Sequence, residues 1–125
     1  MAIIENKYRI GVKYVNQNRL LTLRGIILLL EDLACRHSDM VGFGINDTLK
    51  TNLSWVLLNW KIKILKEANY GSTVTVKTWS RDTNKLYTYR DFEIYDENNN
   101  LICIASSKWV LLSTKTGHIT QITDE

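Results

Sequence analysis

A chain of 125 residues, 45% hydrophobic and 23% charged, is long enough to bury one core and has the composition of an ordinary globular domain. Sixteen basic against thirteen acidic residues leave a formal charge of +3, and the charges are interspersed, which argues against nucleic acid as a partner. The longest apolar run, residues 26–30, is far too short to cross a membrane. With no signal-peptide pattern at the start, and with Cys35 and Cys103 suiting free thiols, a cytoplasmic setting is expected.

Alternation over residues 7–15, with Tyr8, Ile10, Val12 and Tyr14 on one face, predicts a half-buried strand. A polar turn at residues 16–19 leads into residues 22–44, where the period changes. At about 100° per residue, Leu23, Ile26, Ile27, Leu29, Leu30, Leu33, Ala34 and Met40 share one broad arc. Arg24, Asp32, Arg36 and Asp39 lie opposite. Thr22 is placed to cap this helix and Gly42 or Gly44 to end it. About 18 helical residues give a rod of roughly 27 Å.

Residues 43–53 read as a loop without period. Residues 54–65 form the longest strand candidate, with Val56, Leu58, Trp60, Ile62 and Ile64 on one face. Trp55 and Leu57 make its first half apolar on both sides, the pattern of a central strand covered twice. Further strands are predicted at 73–80, 86–95 and 101–112, separated by turns at 69–72, 81–84 and 96–100. One strand, one long helix and an antiparallel meander have one economical arrangement. The sheet curls around the helix, an α+β hot-dog fold with a long central helix, occupying residues 1–125 as a single domain.

His37 falls at helical spacing among Ile26, Leu30 and Leu33. A neutral imidazole there could line a cavity or act as a base; a hydrogen-bonded histidine near the end of a core helix is the plainer reading. Glu31 borders the same face, where a carboxylate could activate water or act as a nucleophile, or simply be a solvated flank. Trp55, Trp60, Trp79 and Trp109 all fall on strands, mainly as packing, with one or two free to wall a ligand cavity. Two histidines and two cysteines at these spacings make no metal site, and no phosphate loop or Gly-x-Ser-x-Gly motif is present. No cofactor is expected.

Several segments occur together with compatible spacing: Asn52-Leu53-Ser54-Trp55-Val56, Tyr70-Gly71-Ser72 before Val76-Lys77-Thr78-Trp79, Tyr89-Arg90-Asp91-Phe92, and Ala105-Ser106-Ser107-Lys108-Trp109-Val110-Leu111. The helix adds Glu31-Asp32-Leu33-Ala34 with His37. In these residues the chain resembles the first half of the acyl-acyl-carrier-protein thioesterases of plants and bacteria. The resemblance implies a two-hot-dog protein that hydrolyses the thioester between a fatty acyl chain and the carrier's pantetheine arm, the first half mainly shaping the acyl pocket. It also implies that the catalytic polar residues, including an Asn-x-His motif at the start of the central helix, belong to the second half. The corresponding turn here reads Asn16-Gln17-Asn18, with Asn18 in place of the histidine. Poor hydrolysis by this chain alone is therefore the expectation.

On that reading Glu31, His37 and Asn16 are the catalytic candidates. Ile26, Leu30, Leu33, Trp55 and Trp60 would line an apolar slot for the acyl chain between helix and sheet. Backbone amides after Thr22 could hold the developing oxyanion. The partners are a fatty acyl thioester on acyl carrier protein or coenzyme A, and a second hot-dog unit, supplied by another copy if the chain is isolated. A basic face including Lys61, Lys63 and Lys77 would suit either anionic carrier. Two alternatives stay open: a self-sufficient homodimeric acyl-CoA thioesterase, and a non-catalytic acyl-binding or structural half.

Overall fold

A computed structural model describes residues 3–42 and 44–122. The Thr22 hydroxyl accepts from the Gly25 N–H at 2.9 Å, and from this cap helix α1, Leu23–Met40, runs for 18 residues. The chain leaves it through Val41 and Gly42, whose φ of +84° is a left-handed conformation that glycine adopts without a Cβ clash. The buried residues Gly25, Ile26, Leu29, Leu30, Leu33 and Ala34 reproduce the predicted arc, while Leu23 and Met40, in the end turns, are exposed.

Strands β1 (Ile4–Arg9), β2 (Leu53–Ile64), β3 (Thr73–Arg81), β4 (Thr88–Tyr95), β5 (Leu101–Ser113) and β6 (Ile119–Thr120) form one antiparallel sheet. Its order is β1-β3-β4-β5-β2, with β6 paired to β5. Helix α1 approaches β1 and β3 most closely. Ile26, Leu29, Leu30 and Leu33 pack with Val74, Val76, Phe92, Ile94 and Cys103 in the core. Each such side chain contributes about 1.5–3 kcal/mol when fully buried, so this face holds the helix against the sheet. At the edge, the Tyr8 hydroxyl donates to Asp32 at 2.6 Å and ties β1 to α1. This is the hot-dog architecture that the residue pattern predicts.

Four local departures have identifiable causes. Residues 7–15 are not one strand: β1 stops at Arg9, opposite Thr73 where β3 begins, and the pairing ends at Ile10, whose N–H donates to the Ser72 carbonyl and whose carbonyl accepts from the Gly71 N–H, both at 2.9 Å. Val12–Tyr14 then turns as a short 3-10 helix with Val12 exposed. Strand β2 is an edge strand, not a central one, and its register against β5 slips between Leu57 and Asn59. Leu58 is the extra residue of a β-bulge. The inner row is thus Trp55 and Leu57 before the bulge and Trp60 and Ile62 after it, leaving Leu58 exposed.

The fourth strand begins at Thr88 because Asn84 Oδ1 accepts from the N–H groups of Leu86 and Tyr87, each at 2.8 Å, and folds them into a turn. The predicted loop holds a 3-10 turn, Ile45–Asp47, and a one-turn helix α2, Thr48–Thr51, which ends at Asn52 with φ +56°. Phe43, at the start of that loop, lies outside the described residues.

Candidate functional site

Residues opposite one another in an antiparallel register share a face of the sheet. On the inner face this gives successive rows. Val76, Ile94 and Cys103 form one row, and Thr78, Phe92, Ala105 and Ile62 the next. Ser80, Arg90, Ser107 and Trp60 form the third, and Thr88, Trp109 and Leu57 the fourth. Most of the first two rows is packed core. Along the last two, a cavity of about 610 Å³ opens between the C-terminal half of α1 and the sheet. The helix contributes Ala34, Cys35, His37 and Ser38; the sheet contributes Trp55, Ser80, Thr88, Arg90 and Trp109. Gly44, Ile45 and Thr48 also line it. A Cβ on Gly44 would fall 1.8 Å from Asp39 Oδ1, so only glycine lets the loop approach the helix end this closely.

Arg90 is the charge at the centre of this arrangement. Its Nη1 donates to Thr78 Oγ1 at 3.2 Å; its Nη2 donates to Ser80 Oγ at 3.1 Å and to His37 Nδ1. All three acceptors are neutral groups, and none of the described residues lining the cavity is an aspartate or glutamate. Burial pulls the guanidinium down to about 10, which still leaves it charged at neutral pH. The Ser107 hydroxyl donates to the Arg90 carbonyl at 3.1 Å and accepts from Trp109 Nε1–H at 2.7 Å, which fixes the indole in the wall. The Cys35 thiol is pushed up, first by burial and then by Asp39, Glu31 and Asp32, so it is a poor nucleophile.

The three catalytic candidates do not come together. His37 faces the cavity, a turn beyond Leu33, with its Nδ1 engaged by Arg90 rather than enclosed among Ile26, Leu30 and Leu33. Glu31 is half-buried on α1 and does not line the cavity. Asn16 is exposed on the turn before the helix, where its Oδ1 accepts from the N–H groups of Asn18 at 2.9 Å and Leu20 at 3.2 Å. That bonding is the work of a turn former. At the helix start, the Gly25 N–H is already taken by Thr22 and is buried, so this amide is not available to an oxyanion.

Of the predicted acyl-binding residues, Trp55 lines the cavity. Ile26, Leu30 and Leu33 lie elsewhere, in the closed core and at most 2% exposed. Trp60 packs on Phe92 at 5.3 Å between ring centroids. Close-packed side chains leave no room there for a ligand. The slot is also less apolar than expected, since hydroxyls, His37 and Arg90 share its wall with the tryptophans. Arg90, Ser80 and Thr88 were not among the expected site residues, and Trp109 was one of the four tryptophans of which one or two were expected to wall a ligand cavity. A signal for two of them exists: if Phe92 and Ile94 point inward, period two turns Arg90 and Thr88 inward as well. A cation on the core side of a strand is uncommon enough to mark a site.

Comparison with known proteins agrees with this geometry. The family model described as the acyl-ACP thioesterase N-terminal domain matches residues 2–125. An oleoyl-acyl carrier protein thioesterase of Arabidopsis thaliana is 32% identical over 98% of this chain and 34% of its own length. A solved acyl-ACP thioesterase from Bacteroides thetaiotaomicron superposes with a TM-score of 0.87 at 25% identity, over 98% of this chain and 54% of that one. A Staphylococcus aureus protein solved in complex with CoA shares the fold, with a TM-score of 0.91 at 11% identity over 98% of this chain and 77% of that one. The chain thus spans about a third of the curated relative's length and about half of the solved thioesterase's. With a matching family model over nearly its whole length, it belongs to the acyl-ACP thioesterase family, as the N-terminal domain.

Proposed function

We propose that this chain is the acyl-holding half of an acyl-ACP thioesterase and seats the fatty acyl chain of a thioester in the cavity at the C-terminal end of α1. The observation that carries the reading is the cavity itself. Its volume, about 610 Å³, lies in the range of small-molecule sites, and Trp55, Trp109, Val41 and Ile45 give it apolar wall. The relatives' names support acyl carrier protein as the carrier, with coenzyme A as the second possibility. Exposed Lys61 and Lys63, and Lys77 over the Tyr95 ring at 5.0 Å, would meet either anion.

Hydrolysis adds water to the thioester carbonyl, forms an oxyanion, and breaks the C–S bond to give a fatty acid and the carrier's thiol. Asn16 is engaged in its own turn and His37 Nδ1 by Arg90, so a second unit is expected to activate the water. Strand β2 has no neighbour on its outer edge among the described residues, and an open edge is where a second hot-dog would add, as a further domain or another copy. Release of fatty acids in the cytoplasm fits this reading, with Cys35 and Cys103 unbridged.

The test is acyl-ACP and acyl-CoA binding and hydrolysis by the purified chain, beside Glu31→Ala and His37→Ala. Binding with turnover about 10²–10⁴ below that of a complete enzyme is expected, the usual worth of general acid–base assistance. Robust turnover abolished by either substitution would replace this reading with the self-sufficient homodimeric thioesterase. Failure to bind any acyl chain would leave a structural half. Light scattering at micromolar concentration should find paired chains; a single-chain species alone would count against edge pairing.

A further inference from the structure

We propose that the cavity selects acyl groups whose chain carries an oxygen function, a carboxylate best of all, seated on Arg90. This rests on the acyl-pocket reading above and refines it. A guanidinium has five N–H bonds. Three are accounted for by Thr78, Ser80 and His37, leaving Nε–H and one Nη1–H without an acceptor among the described residues. The rest of the wall points the same way. Ser38, Thr48, Ser54, Ser80, Thr83 and Thr88 all line this cavity, and no carboxylate does among the described residues. Such a lining is net positive and rich in donors. A plain hydrocarbon tail lying against it would strip the remaining water from the half-buried Arg90 and return no hydrogen bond, which is costly for a cation. An oxygen on the chain would supply the missing acceptor, and an anionic oxygen would also answer the charge.

The carboxylate of a released fatty acid offers the same chemistry from its other end, so the test separates the two sources. Trp55 and Trp109 wall the cavity, and quenching of their fluorescence in the full chain reports its occupancy. The titrants are pantetheine thioesters of unsubstituted, ω-hydroxy and ω-carboxy fatty acids in a series of chain lengths, with the free unsubstituted acids beside them. At the best-fitting length the ω-carboxy chain should bind about tenfold or more tighter than the plain one, with the ω-hydroxy chain between, as expected for a charge-assisted hydrogen bond. Arg90→Met should abolish that preference and Arg90→Lys should keep part of it. If either variant fails to fold, the wild-type ranking still decides. Plain thioesters that bind as tightly as oxygenated ones overturn the proposal and leave the acyl pocket standing. Free acids that bind tightly, with no ranking among the thioesters, overturn it too and assign Arg90 to the product's head group. No binding by any titrant overturns both readings.

Discussion

Gly25→Ala should destabilise this protein although alanine is the better helix former. On a solvated helix the exchange would gain about 1 kcal/mol. Here the added Cβ would lie 2.3 Å from the Tyr14 carbonyl oxygen and 2.9 Å from Leu21 Cδ1. Unstrained contacts need about 3.5 Å, so the turn that carries Tyr14 would have to retreat by roughly 1 Å. That carbonyl accepts from the Thr22 N–H at 3.0 Å and from the Thr22 hydroxyl at 3.2 Å, so its retreat loosens the helix cap as well. Overpacking costs about 1–3 kcal/mol and a weakened cap roughly 1 more. Set against the propensity gain, the net loss is about 1–3 kcal/mol. In a domain of this size each kcal/mol lowers Tm by roughly 3–6 °C. Urea and thermal unfolding followed by circular dichroism, with the wild type alongside, measure it directly. A Tm that is unchanged or raised would refute the reasoning, because it would mean that the turn ahead of α1 moves freely.

Two further outcomes test the site. Cys35 lines the cavity with its thiol pushed up by burial and by Asp39, Glu31 and Asp32, so its thiolate fraction at pH 8 is below that of a free thiol. Its alkylation should be slower than a model thiol's, should accelerate as pH rises past the ordinary thiol range, and should slow again when an acyl ligand is bound; equal rates with and without ligand would place the chain elsewhere. Arg90→Met removes a cation whose depression to about 10 corresponds to roughly 3 kcal/mol of desolvation, and gives up three hydrogen bonds from a charged donor worth about 1.5–3 kcal/mol each. Urea titration should therefore show a net loss of about 2–6 kcal/mol. An unchanged or raised stability would show that these bonds do not hold Arg90 in place.

Features fixed by near neighbours along the chain were legible in the sequence; features fixed by partners across the sheet were not. Helix α1 follows from an apolar arc, a threonine cap and a glycine exit, and all three act within a few residues. The end of β1 is different. Nothing in Val12 or Tyr14 announces that β3 begins at Thr73 and leaves them unpaired. The Leu58 bulge is likewise a property of the register between β2 and β5. It exchanges the inner and outer faces partway along β2, so Trp55 and Trp60 both face inward although their spacing is odd. Only the position of the helix end then decides that Trp55 meets a cavity while Trp60 meets Phe92. Asn16 illustrates the same limit from the other side: its residue type fits a polar site, but two backbone N–H groups already hold its oxygen.

The cavity lies where two gradients of side-chain polarity coincide. Along α1 the inward face passes from Ile26, Leu30 and Leu33 to His37. Along the sheet the inner rows pass from Val76, Ile94 and Cys103 to Ser80, Arg90 and Ser107, in the same direction. Each gradient alone is an ordinary feature of a domain that meets water at one end. Together they place a guanidinium, an imidazole and several hydroxyls around an enclosed space. A leucine at the Arg90 position would contribute about 1.5–3 kcal/mol by burial with no charge to desolvate, whereas the arginine must first offset roughly 3 kcal/mol of desolvation with its hydrogen bonds. A residue that breaks the local rule without a gain in stability is expected where a ligand makes up the difference. Arg90 meets that condition: among the described residues its desolvation has no counter-charge in the cavity wall, and donors on it remain for a bound chain to fill.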